Sequence, residues 1–308
     1  MNDPIFIVGP HRGGSTLWHN LIAMCPGMLR LAEPRFLGAP RQKDFNFFLR
    51  TQVGDLSQDA HVLKMVELCF SRNTVPGLEG HFWRFLKNPV VDDPQFREKV
   101  VERIKMSDRG IGAIARIILE ELTAFSGCTQ ACVKFPIDIR HLAPLLRWFP
   151  NCTSGTALRI KQHPQLAWFI RRAVLLLVIS QYRLSAQVHQ KFRGRPNYRL
   201  FRYEDLLAEP ERVLRELCEF TGIQFQEEML EPQKGEHEHQ PSSLTGKQQK
   251  AFDITAAVRW RTVISPLDNL VTLALTKGSM RRLGYDPKTH PIFRHARESQ
   301  PSLPQVVY

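Results

Sequence analysis

Hydrophobic positions along the chain alternate between short continuous runs and stretches with a helical period. Ile5-Phe6-Ile7-Val8 is a continuous run stopped by Gly9-Pro10, which predicts a buried strand over 5–8. Gly13-Gly14 then opens a helix over Ser15–Met24, with Leu17, Leu21 and Ile22 at helical spacing and Pro26-Gly27 as its stop. Residues 44–125 read as mostly helical, with breaks at Pro76-Gly77 and Asn88-Pro89. Within Val101–Phe125, Ile111, Ile114, Ala115, Ile118, Leu119 and Leu122 form one stripe. Ala131-Cys132-Val133-Lys134-Phe135 predicts a second buried strand, closed by Pro136, and 139–148 a helix closed by Phe149-Pro150. Gln165–Lys191 is a long helical pattern and Tyr198–Tyr203 a third strand. Glu204–Thr221 is a helix broken only near Pro210, with Gly222 as its C-terminal stop. Lys234–Lys250 is polar and loop-like, and Thr255–Val263 returns to helix.

Strands alternating with helices predict an α/β fold, a parallel sheet flanked by helices. There is no internal repeat and no linker that demands a second unit. The expected organisation is a single domain over 1–285 and a proline-containing tail over 286–308.

Composition narrows the class. The 308 residues are 43% hydrophobic and 23% charged, ordinary for a soluble globular protein that needs no disulfides. Of the 6 cysteines only Cys128 and Cys132 lie close together, too far apart for a redox pair and without a second Cys/His pair for zinc. They are expected to be reduced core thiols. A net charge of +12 suits an anionic partner: a nucleotide, an acidic glycan, nucleic acid or a membrane surface, or else serves solubility alone. No basic segment and cleavage site precede the first strand. The run Ala173–Ile179, bracketed by Arg171, Arg172 and Arg183, falls short of the ~20 residues that span a bilayer. The chain as given reads as soluble and cytoplasmic.

The stretch richest in chemistry is Ile7-Val8-Gly9-Pro10-His11-Arg12-Gly13-Gly14-Ser15-Thr16. Strand, glycine-rich turn and helix follow one another, so main-chain N–H groups and the positive end of a helix dipole face one point. Ser15 and Thr16 add hydroxyl donors. Gly9, Gly14 and Thr16 have the spacing of a nucleotide-kinase loop, but Ser15 occupies the lysine position and the cation comes earlier, at Arg12. A γ-phosphate bridged by magnesium needs that lysine; a 5′-phosphosulfate can be met by a basic residue before it. The alternative is an ordinary glycine turn between a strand and a helix.

This loop resembles that of the sulfotransferases that use 3′-phosphoadenosine-5′-phosphosulfate (PAPS), whose pattern is [RK]-S-G-T-T after a hydrophobic strand. Here it reads Arg12-Gly13-Gly14-Ser15-Thr16. A second stretch, Phe201-Arg202-Tyr203-Glu204-Asp205-Leu206 with Leu214, Leu217 and Phe220-Thr221-Gly222, is similar to the same family. It marks the family rather than the chemistry, with Arg202 and Glu204 expected to lock a turn. With Lys134-Phe135-Pro136 and Phe149-Pro150 in order, the resemblance covers roughly 4–285 and is nearest the carbohydrate and tyrosylprotein branch.

The resemblance implies a sulfotransferase fold, PAPS as donor co-substrate, no metal, and a hydroxyl-bearing acceptor such as a carbohydrate, with no nucleic acid. Glu33 takes the place of the family's general base. Arg12 would stabilise the leaving phosphate, and Gly13, Gly14, Ser15, Thr16, Lys134 and Lys247 would hold the donor. His11 is an alternative base, and Glu236-His237-Glu238-His239 has metal-like composition in what reads as a solvated run.

One family feature is missing. After Phe149-Pro150 a hydrophobic strand and an Arg-Asp-Pro-Arg step should bind the donor's 3′-phosphate, but Asn151-Cys152 runs directly into Thr153-Ser154-Gly155. That pattern predicts a deletion of roughly twenty residues and the loss of one central strand. A non-catalytic relative that binds nucleotide or an anionic partner, a P-loop kinase and a nucleic-acid binder are the other readings.

Overall fold

The computed structural model describes residues 2–9, 14–32, 45–70, 93–135, 142–150, 153–158, 168–231, 252 and 265–285. In chain order they form β1 (Ile5–Val8), α1 (Ser15–Ala23), β2 (Met28–Ala32), α2 (Phe45–Phe48) running into a π-helical turn (Leu49–Val53), α3 (Asp59–Cys69), α4 (Pro94–Lys105) and α5 (Ile111–Phe125). Then follow β3 (Gln130–Phe135), α6 (Leu142–Trp148), β4 (Thr153–Leu158), α7 (Trp168–Phe192), β5 (Tyr198–Arg202), α8 (Tyr203–Ala208), α9 (Pro210–Thr221), a 3₁₀ turn (Glu227–Leu230) and α10 (Pro266–Arg282). They fall into two units, one of Met1–Val8 with Trp18–Gly155, the other of Gly9–Leu17 with Thr156–Tyr308.

In the first unit β3 pairs in parallel with β1 on one side and β2 on the other. Val8 is level with Phe135, and Ala32 with Lys134. Parallel strands covered on both faces carry unbroken apolar runs, and Ile5, Phe6, Ile7 and Val8 are all buried accordingly. Phe6 meets Phe149 edge-on, ring centroids 5.2 Å apart. His19 of α1 is wholly buried, and its Nε2 donates to the Cys132 carbonyl at 3.0 Å, tying helix to strand.

The stripe expected as one helix from Val101 is two. Asp93 caps α4 by accepting from the Phe96 N–H at 2.9 Å, with Pro94 in the first turn. Between α4 and α5 the chain turns at Arg109, whose φ is 56°. Its guanidinium holds that turn by donating to the carbonyls of Leu56 and Ser57 and to Asp59, each within 2.8 Å. On α5, buried Glu121 is gripped by Lys99 at 2.8 Å and Arg103 at 2.7 Å.

β4 corrects an expectation. The strand predicted to be lost is present, as Thr153–Leu158, in the strand order β2-β3-β1-β4-β5. Its sequence, Thr-Ser-Gly-Thr-Ala-Leu, has none of the bulk of a typical central strand, so pairing rather than propensity makes it one. β2 and α10 were likewise unmarked in the pattern: Met-Leu-Arg-Leu-Ala lacks β-branched residues, and α10 turns its leucines outward.

In the second unit Glu204–Thr221 breaks at Glu209-Pro210, and Gly222 stops α9 in the left-handed conformation at φ 70°. Tyr182, Ala186, Leu283 and Tyr285 form a buried cluster with Leu200 and Met280 packed against it. The predicted loop over 234–250, helix over 255–263 and tail over 286–308 lie outside the described residues.

Candidate functional site

Gly14 and the first residues of α1, Ser15–Leu17, belong to the second unit. Gly14 has φ +85°, and a β-carbon there would lie 2.5 Å from Cδ2 of Tyr203. The position therefore excludes every other residue twice, by backbone conformation and by contact. Ser15, the first residue of α1, is buried, and Thr16 is exposed. Leu17 N–H donates to the Gly14 carbonyl at 2.9 Å, closing the first turn directly on that glycine. The helix thus begins at the point where the sequence places its hydroxyl donors, with the positive end of its dipole toward the turn. Arg12, Gly13 and His11 lie outside the described residues.

Tyr203 is held from behind. It opens α8 immediately after β5 and is 1% exposed. Its neighbours fix that junction. Arg202 Nε donates to Asp205 Oδ2 at 2.5 Å and its Nη1 to the Gly284 carbonyl at 2.5 Å, while the guanidinium lies 5.6 Å from the centre of the Tyr285 ring. The Tyr285 hydroxyl donates to Glu204 Oε2 at 2.6 Å in a buried contact. Burial, then the Glu204 charge, push the Tyr285 phenol well above its ordinary range; burial does the same for Tyr182 beside it. The expected turn-locking role of Arg202 and Glu204 is what these contacts do. The parts Tyr203 and Tyr285 play in this junction were not foreseen from the sequence. Tyr203 was visible only as the aromatic member of Arg-Tyr-Glu-Asp; Tyr285 had no signal beyond following Gly284.

In the first unit, Lys134 is buried within β3, level with Ile7 on one side and Ala32 on the other. Chain ends Val8, Ala32 and Phe135 thus reach the same edge of the parallel sheet, the carboxyl edge where open α/β sheets take ligands. Ala32 is the residue before Glu33. Glu33, Lys247 and the Glu236–His239 run lie outside the described residues.

Among the described residues no two cysteines are paired. Cys25, Cys69, Cys132 and Cys218 are buried free thiols and Cys128 is half-buried. Burial pushes Cys69 and Cys132 far above the ordinary thiol range and Cys218 to about 11. Among the described residues no group of three His, Cys, Asp or Glu side chains is placed to hold a metal ion. No described helix is long and apolar enough to cross a membrane.

Comparison with known proteins places this geometry. Residues 156–240 match the family described as sulfotransferase domain. The match takes in Arg202–Asp205 and leaves out the turn before α1, so the two motifs are separate pieces of evidence. The chain is similar in structure to the sulfotransferase domain of the Synechococcus PCC 7002 olefin synthase, with a TM-score of 0.53 and 21% identity over 92% of this chain and 95% of that one. It is also similar to the sulfotransferase domain from the curacin biosynthetic pathway, with a TM-score of 0.53 and 18% identity over 93% of this chain and 99% of that one. No curated protein matches it by sequence. The fold is the sulfotransferase fold.

Proposed function

We propose that this chain is a PAPS-dependent sulfotransferase that moves a sulfuryl group to a hydroxyl of a glycan or similar acceptor. Within the family it belongs with the carbohydrate and tyrosylprotein branch. One observation supports the reading: Gly14, immediately before α1, is seated so closely on Tyr203 that no side chain fits at that position. A bare turn at a helix start is the form an anion cradle takes.

The residues present fit the donor's 5′ end. Gly13, Gly14, Ser15 and Thr16 supply main-chain and hydroxyl donors, and Arg12 supplies the cation that offsets charge building on the leaving phosphate. PAPS, when bound, brings the activated sulfuryl group. The acceptor hydroxyl must lose a proton, and Glu33, next after the last residue of β2, takes it. Lys134 and Lys247 add positive charge to the donor. The single domain runs over 1–285.

The test is transfer of labelled sulfate from PAPS to a panel of hydroxyl acceptors. Transfer is expected from the wild type, with a drop of about 100-fold for Arg12→Ala and Glu33→Gln. Undiminished transfer by Arg12→Ala overturns the assignment.

A specific feature favours a second reading. The Arg-Asp-Pro-Arg step for the 3′-phosphate is absent from the sequence after Pro150. Each lost charge-assisted contact costs about 1.5–3 kcal/mol. A relative so weakened would bind nucleotide without turning it over, and binding of 3′-phosphoadenosine 5′-phosphate with no transfer to any acceptor distinguishes it.

A further inference from the structure

On α10 the usual placing of side chains is reversed. Asp268, Thr272 and Thr276, at four-residue spacing, face inward and are buried. The Thr272 and Thr276 hydroxyls donate to the carbonyls of Asp268 and Thr272 at 2.7 and 2.6 Å, so these two inward hydroxyls are served within the helix. The leucines face out: Leu267, Leu270, Leu273 and Leu275 are 54%, 65%, 38% and 41% exposed. α7 packs along α10 and adds Leu176 and Leu177, each more than half exposed. Scattered exposed leucines are ordinary, whereas a group of them on one helix pair marks a surface that meets something.

The charges on the same pair of helices say what. Leu267, Leu270, Ala274, Lys277 and Arg281 follow one another at three- and four-residue steps along an exposed stripe, apolar first and basic after. Arg282 is exposed beside them. Across all of α7 and α10 the one acidic residue is Asp268, which faces inward, against Arg171, Arg172, Arg183, Lys191, Lys277, Arg281 and Arg282.

We propose that the α7–α10 surface docks on an anionic lipid membrane. The outward leucines enter the boundary between headgroups and acyl chains, and Lys277, Arg281 and Arg282 meet the acidic headgroups. Charge selects this occupant. A second copy of the face would bring a cationic surface against another, on a chain whose net charge is already +12. A neutral protein groove would leave the cations unanswered.

Co-sedimentation with vesicles of phosphatidylcholine alone and of phosphatidylcholine with phosphatidylserine tests it. The full chain is expected to sediment with the anionic vesicles and to stay in solution with the neutral ones. Lys277→Gln, Arg281→Gln and Arg282→Gln should each weaken partitioning about fivefold. Leu267→Gln and Leu270→Gln leave every charge in place and should each weaken it about tenfold. If those variants fail to fold, Leu273→Gln on the same helix, itself 38% exposed, takes their place. Three results overturn the proposal: no binding to anionic vesicles, binding that survives the leucine changes as simple adsorption of a basic protein, or a dimer in light scattering that Leu270→Gln dissolves.

Discussion

The ring of Tyr203 occupies the space into which a β-carbon on Gly14 would project, 2.5 Å from its Cδ2, so the two family-like motifs of this chain meet in space. Replacing Gly14 by Ala adds both a left-handed backbone penalty of about 1–2 kcal/mol and a collision with a buried ring. Gly127 is the control: its φ is +65° and nothing lies within 4 Å of a β-carbon there. Gly14→Ala should lower stability in urea by clearly more than Gly127→Ala. Equal losses would show that the Tyr203 contact has no energetic weight.

The bond from Tyr285 to Glu204 should matter because both groups are buried. Tyr285→Phe leaves a carboxylate without that donor and is expected to cost about 1–3 kcal/mol of unfolding free energy. A double-mutant cycle with Glu204→Gln should show coupling between the two sites. Strict additivity would remove the bond from the account.

Alkali should act through the same residue. Burial and the Glu204 charge raise the Tyr285 phenol in the folded chain, while an unfolded tyrosine titrates near its usual value of about 10. The folded state therefore binds this proton more tightly. Stability is intact below that unfolded value and falls as pH rises beyond it. Urea midpoints measured on either side of that pH should fall in the wild type and fall less in Tyr285→Phe.

Acid should act through Glu121. Burial pushes its carboxyl up, but the hydrogen bonds and charges of Lys99 and Arg103 outweigh burial, and the net shift is downward. Its contribution is present above the unfolded value of about 4.3 and is lost as pH falls through the lower folded value. Glu121→Gln should therefore destabilise the chain at neutral pH and narrow the gap to wild type in acid, as read by urea unfolding at each pH.

Thiol chemistry gives an independent check on the packing. In a Cys152→Ser background, a thiol reagent should modify Cys128 in the native chain and leave Cys25, Cys69, Cys132 and Cys218 protected until urea is added. Rapid native modification of Cys132 would mean that β3 is not in the core.

What the sequence disclosed and what it hid divide along one physical line. β1 and β3 announce themselves because strands buried on both faces must be continuously apolar, and Gly222 ends α9 because a left-handed residue was needed there. β2 and β4 were hidden because partner strands, rather than side-chain preference, make them strands. α10 was hidden because its leucines point to solvent and its threonines inward, the inverse of the pattern that marks a core helix. Before α1, the glycine at Gly14 and the helix start at Ser15 were legible from local spacing. The contact of Tyr203 with Gly14, and the bracing of that junction by Tyr285, join segments far apart in the chain, and no local pattern encodes such contacts.

The proposal that the turn before α1 binds the donor is tested most directly by calorimetric titration of the full chain with 3′-phosphoadenosine 5′-phosphate. Saturable binding to the wild type is predicted, weakened at least about tenfold in Arg12→Ala, since a charge-assisted contact of about 1.5–3 kcal/mol is lost. Absence of binding to the wild type, or equal affinity in Arg12→Ala, would contradict it.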